Sequence, residues 1–175
     1  MNKESIPEEG VTIHNAGLVI LQSYFPILFE RLGIVERREF FSQEKQAAAV
    51  HYLQYIVTGQ TDTEEHFLAL NKVLCGLGVT TPIKRGIEMT SEEEQLIDGM
   101  IQSVISIWSA IGSSTVNGFR GNWLVREGIL RETEDRWELI VEKRPYDVLM
   151  MKYPLSFSII KMPWMSKPIH VTWPY

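Results

Sequence analysis

Four histidines, one cysteine and a short run of hydroxyls are the residues of this 175-residue chain whose types suit metal or nucleophile chemistry. A zinc-type site needs its ligands at set spacing, and His14, His51, His66 and His170 lie far apart with no HExxH or CxxC-type pair. Each reads as a structural histidine. Ser113, Ser114 and Thr115 follow Gly112, where a nucleophile elbow or a phosphate-cradling loop would sit. Neither GxSxG nor GxxxxGK[ST] is present, so these hydroxyls are expected to cap a helix beginning near Val116. Tyr146-Asp147 and the couple Glu138 and Glu142 are the acid–base candidates. At the period of two of a strand, Glu138 and Glu142 share one side and Leu139 and Val141 the other, which suits carboxylates on a solvent face. Nothing here demands catalysis, a cofactor or a metal, and a non-enzymatic protein is expected.

Phosphate recognition is the other chemistry to weigh. A helix over 91–111, a helix over 116–127 and a hairpin over 129–142 make a helix–turn–helix–wing outline, which read alone is a winged-helix DNA binder. Arg120, Arg126, Arg131 and Arg136 would supply its phosphate contacts. Yet Ser113 to Arg144 holds six Lys/Arg against six Asp/Glu, and the whole chain carries a net charge of −5. That is no basic footprint. A nucleic-acid-binding or adaptor role is the alternative reading, and protein contact the main one.

The elements that must position these residues read as α+β: a mainly helical N-terminal two-thirds, then a small antiparallel sheet. Residues 1–12 read as a flexible lead-in and 13–175 as one globular domain. From Asn15 to about Leu32 the pattern is helical, with Pro26 starting a second short helix and Gly33 as a stop. Further helices follow Ser42, ending at Gly59, and Thr63, ending at Gly76. Ser91 with Glu94 three residues later is the clearest start signal in the chain. Strand character appears at Ile129–Arg131, Trp137–Glu142, Phe157–Lys161 and Ile169–Trp173, and Pro145 opens a helical turn.

One cysteine, Cys75, excludes an internal disulfide and points to an intracellular, cytoplasmic folding site. The start, Met1 to Gly10, is polar and acidic, unlike a signal peptide. Gly17 to Leu32 is interrupted by Gln22, Ser23, Pro26, Glu30 and Arg31, too broken for a membrane span. The tail is aromatic and proline-rich, with Trp164, Trp173, Tyr175 and prolines 163, 168 and 174. It either closes the domain's own sheet as an edge strand or adds to a partner's sheet.

An ordered series of blocks runs through the chain. It comprises Asn15-Ala-Gly-Leu-Val-Ile-Leu through Phe25-Pro-Ile-Leu-Phe-Glu-Arg-Leu-Gly33, then Ala49-Val-His-Tyr-Leu-Gln-Tyr-Ile-Val-Thr-Gly59, then His66-Phe-Leu-Ala-Leu-Asn-Lys-Val-Leu-Cys-Gly76. A closing segment holds Trp137-Glu-Leu-Ile-Val-Glu, Pro145-Tyr-Asp-Val-Leu, Ile159-Ile-Lys-Met-Pro-Trp-Met165 and His170-Val-Thr-Trp173. From about Asn15 to Trp173 this series resembles the C-terminal region of the tape measure proteins of contractile injection systems, the phage-tail-like particles with which bacteria deliver toxins. The resemblance implies a structural component of such a particle, whose partners are tube, cap or baseplate subunits. A ruler works by extent, at about 1.5 Å per helical residue. A chain with glycine and proline stops every 15–20 residues is compact instead, with a radius of gyration of about 15–16 Å. Anchoring is therefore the expected role, with Arg120, Arg126, Trp164, Met165, Trp173 and Tyr175 as the contact residues.

Overall fold

A computed structural model of the chain describes residues 9–175. It is an α+β fold with a five-stranded sheet and a two-stranded ribbon. The sheet contains β1 (Val11–Ile13), β4 (Gly128–Glu132), β5 (Trp137–Val141), β6 (Ile159–Ile160) and β7 (Ile169–Thr172), in the order β1-β4-β5-β7-β6. The ribbon pairs β2 (Val35–Glu36) with β3 (Glu39–Phe40). Five α-helices accompany them: α1 (Phe25–Arg31), α2 (Gln43–Thr58), α3 (Ala69–Leu74), α4 (Ser91–Ile107) and α5 (Val116–Phe119).

The sheet differs in detail from the expectations drawn from the sequence. It is mixed rather than antiparallel, because β5 and β7 run parallel while the other pairs are antiparallel. A parallel pair needs a long crossover, and residues 142–168 supply it through the 3₁₀ segment Pro145–Lys152 and strand β6. The lead-in over 1–12 also contains structure. Residues 1–8 lie outside the described residues, but Val11 and Thr12 belong to β1, which pairs with Leu130 and Ile129. The tail strand β7 sits between β5 and β6, inside the sheet rather than at its edge.

The N-terminal apolar run lies at the centre of the molecule. Ala16–Tyr24 is a nine-residue 3₁₀ helix in contact with β5 and α2. Every residue from Ala16 to Leu21 is buried, which explains a segment apolar on all sides. Gly17 permits this placement: a Cβ there would lie 1.7 Å from the carbonyl oxygen of Trp123. Pro26 falls in the first turn of α1, as expected. Gly33, Gly59 and Gly76 all have φ near +70°, the left-handed conformation of helix stops.

The second helix of the wing-like unit is shorter than its periodicity predicts. After α5 the chain forms one wide turn, Arg120–Leu124, closed by the Val125 N–H on the Arg120 carbonyl at 2.8 Å. It then straightens because Arg126 bridges the N-terminal segment: its N–H donates to His14 O at 3.0 Å and its carbonyl accepts from Ala16 N at 2.9 Å. The Thr115 hydroxyl caps α5 by accepting from Gly118 N at 2.9 Å, as expected. The α4 cap is Thr90, accepting from Glu93 N at 3.2 Å, one residue before the expected Ser91.

Candidate protein-contact site

The tail is positioned by a buried ion pair. Arg126 and Asp147 both have side chains at 0% exposure, with Nη1 donating to Oδ2 at 2.6 Å. The guanidinium also donates to Glu142 O at 3.1 Å and Asn122 O at 2.9 Å. Its carbon lies 5.0 Å from the ring centre of Trp173, 5.6 Å from Tyr146 and 5.8 Å from Trp123. Asp147 Oδ2 accepts two more hydrogen bonds, from the Trp173 indole at 2.9 Å and the Arg144 backbone at 2.9 Å. Burial alone would push the Asp147 carboxyl up, but the bonds from Arg126, Arg144 and Trp173 outweigh it and hold the group below the usual carboxylate range. Trp173 is thereby fixed at the end of β7.

A second buried polar cluster joins the helices to the same bridge. Asn15 Nδ2 donates to Asn71 Oδ1 at 2.6 Å and Gln54 Oε1 at 3.0 Å, while Asn71 Nδ2 donates to Val50 O at 3.0 Å. Asn15 and Arg126 are bridge partners, so one main-chain junction carries both clusters. The sequence reading missed Asn15, Gln54 and Asn71 as framework residues. Their signal is a single amide within a mostly apolar block.

Four of the six residues expected at a contact surface are buried within the chain. Arg120 is 8% exposed and closes the end of α2, with Nε on Ile56 O at 3.0 Å and Nη2 on Tyr55 O at 3.3 Å and Asp98 Oδ1 at 3.2 Å. Arg126 and Trp173 form the pair just described, and Met165 is 4% exposed, its sulfur accepting from Met162 N. Trp164 is half-buried: its indole donates to Leu74 O at 2.8 Å and its ring packs 4.9 Å from Phe40. Tyr175 alone is well exposed, at 55%. The phosphate-contact alternative weakens with the same observation, since Arg120 and Arg126 are interior and Arg131 and Arg136 both bond Glu138.

Around Tyr175 the tail forms a groove of about 240 Å³ lined by Tyr153, Leu155, Phe157, Val171 and Trp173. The Phe157 ring lies 5.9 Å from Tyr153 and 5.7 Å from Trp173. Burial pushes the Tyr153 phenol well up, and its hydroxyl donates to Ile20 O. The groove floor is thus tied to the central 3₁₀ helix. One rim is Ser156–Ser158, which leads into the edge strand β6, where Ile159 is 61% exposed. Such a site can seat an aromatic or aliphatic side chain and pair with an extended segment. Among the described residues no three His, Cys, Asp or Glu groups gather to hold a metal ion, and no helix is long and apolar enough to cross a membrane.

The family model described as contractile injection system tape measure protein matches residues 2–173. No curated protein and no solved structure matches the chain. The sequence blocks that carry the resemblance meet in the buried framework. Asn15 comes from the first, Gln54 from the second, Asn71 from the third, and Asp147 and Trp173 from the last. With the match spanning nearly the whole length, the chain belongs to the contractile injection system tape measure protein family.

Proposed function

We propose that this chain is a non-enzymatic docking domain that anchors a tape measure protein to a protein subunit of the injection particle, at the tube, cap or baseplate. The observation that carries the reading is the aromatic groove at the tail. The interior consumes Arg120, Arg126 and Trp173, while Tyr175 and Ile159 remain exposed beside a floor tied down by Tyr153 and Trp173. A rigid aromatic pocket next to a sheet edge gives a partner both an anchor point and main-chain pairing, at little ordering cost. The domain assembles in the cytoplasm and is incorporated into the particle.

The test is quantitative mass spectrometry on sheath-containing particles from the native host, comparing the wild-type chain with Tyr175→Asp and Ile159→Asp. Both positions are exposed, so the fold is retained. A few copies per particle for wild type and a loss of about tenfold or more for the variants, equivalent to about 1.4 kcal/mol, supports the anchor. Wild-type chain confined to the soluble fraction sinks it.

A further inference from the structure

We infer that two copies of this chain associate face to face through the open side of the five-stranded sheet, about a two-fold axis lying across the strands. The inference does not depend on the tail groove. Alternation along the strands puts Leu130, Trp137, Leu139, Val141 and Ile169 on the core side. The opposite side carries a cross-strand row fixed by register: Thr12, Ile129, Ile140 and Thr172. Ile129 and Ile140 face each other there at 45% and 52% exposure. A directly opposed β-branched pair is a packing unit that water does not reward.

Charge separates on the two sides of this row. Toward the hairpin turn stand Arg131, Glu138 and His170 in register, with Arg136 beside them. Both guanidiniums bond the one Glu138 carboxylate, leaving one positive charge in excess. Toward the other end stand His14, Glu127 and Glu142, where Glu142 N donates to Glu127 O and His14 Nδ1 lies 3.4 Å from Glu127 Oε1. The carboxylates of Glu127 and Glu142 make that row acidic. Each flanking row is two residues from the isoleucines, about 7 Å along the strand.

Rotation by 180° about the isoleucine row lays the acidic row of one copy over the basic row of the other. Rotation about the strand direction would instead stack like on like. Facing sheets pack about 10 Å apart with strands aligned within about 30°, within reach of arginine and glutamate side chains. The occupant that matches an apolar row with opposite charges on its flanks is therefore the same surface turned over, an isologous contact. Charge complementarity selects both the partner and the axis.

Analytical ultracentrifugation of the 175-residue chain from about 1 to 100 μM spans the micromolar affinities of small interfaces. Wild type should dimerise, with affinity falling as salt rises, and Ile140→Asp should weaken it by about tenfold or more. The decisive experiment uses two double variants, Arg131→Glu with Arg136→Glu, and Glu127→Arg with Glu142→Arg, each checked for fold by circular dichroism. Each alone should be monomeric, and an equimolar mixture should dimerise, because both flanks then match. A monomeric wild type, a dimer indifferent to Ile140→Asp, or a mixture that stays monomeric overturns the inference, and a monomer that crosslinks to another particle subunit through Ile140 reassigns the face.

Discussion

Arg126 and Asp147 are joined at 2.6 Å with no part of either side chain exposed, inside a wall formed by Trp123, Tyr146 and Trp173. Asp147→Asn leaves a guanidinium charge buried without its counter-ion. The expected loss is about 3–5 kcal/mol of folding stability. Urea denaturation followed by tryptophan fluorescence checks it, and a loss below about 1 kcal/mol would mean the pair does not hold the tail in place.

The same pair sets an acid limit. Asp147 is held below the ordinary carboxylate value, so its contribution is fully present above the unfolded value of about 4 and is lost as pH falls through the depressed folded value. Glu65, lowered by its hydrogen bond from the buried Lys72, acts in the same direction. Urea midpoints measured from pH 7 downward should stay level to about pH 4 and then drop. In Asp147→Asn the drop should be shallower.

Gly17→Ala should abolish folding. Its Cβ would lie 1.7 Å from Trp123 O and 2.7 Å from Leu124 Cα, backbone atoms that cannot rotate away. A loss above about 4 kcal/mol is expected. Soluble yield and the far-ultraviolet dichroism of the variant decide it.

Thr90→Ala should cost about 1 kcal/mol and Ser91→Ala much less, because the hydroxyl on Glu93 N belongs to Thr90. Thermal melts of the two variants side by side distinguish the caps. Equal losses would move the start of α4.

Three of the six tyrosines should resist alkaline ionisation. Burial raises Tyr52, Tyr55 and Tyr153 above the ordinary phenol value, and Tyr52 is raised further by its 2.5 Å hydrogen bond to Glu93. Native protein titrated spectrophotometrically should show fewer ionised phenols near pH 10.5 than unfolded protein, a pH just above the ordinary value of about 10. Stability contributed by these groups is complete below about pH 10 and falls as pH rises through their folded values.

Local chemistry was well written in the sequence. The stops at Gly59 and Gly76, the Thr115 cap and the strands around Trp137 and Ile169 follow from patterns a few residues long. What was illegible depends on distant partners. Arg126 has the same side chain as an exposed phosphate contact, and it is interior because Asp147 lies 21 residues on and Trp173 closes over it. Strand β1 is three residues long and gains its identity only by pairing with β4, where Val11 meets Leu130, 119 residues away. The groove at Tyr175 is only partly legible: Trp173 and Tyr175 stand together in the tail, but Tyr153 and Phe157 join them only through the 3₁₀ segment and the approach to β6.

The central 3₁₀ helix has a kinetic consequence. Ile20 waits for the Tyr153 hydroxyl, 133 residues later, and Gln22 for the Ser156 carbonyl, 134 residues later. At about 5–20 residues per second, a ribosome takes about 7–27 s to deliver those partners. Through that interval Leu18–Leu21 can pack against α1 and α2 but not yet against β5 or beneath Tyr153. Completion of this domain is therefore timed by the arrival of its last strands, after translation has passed Trp173.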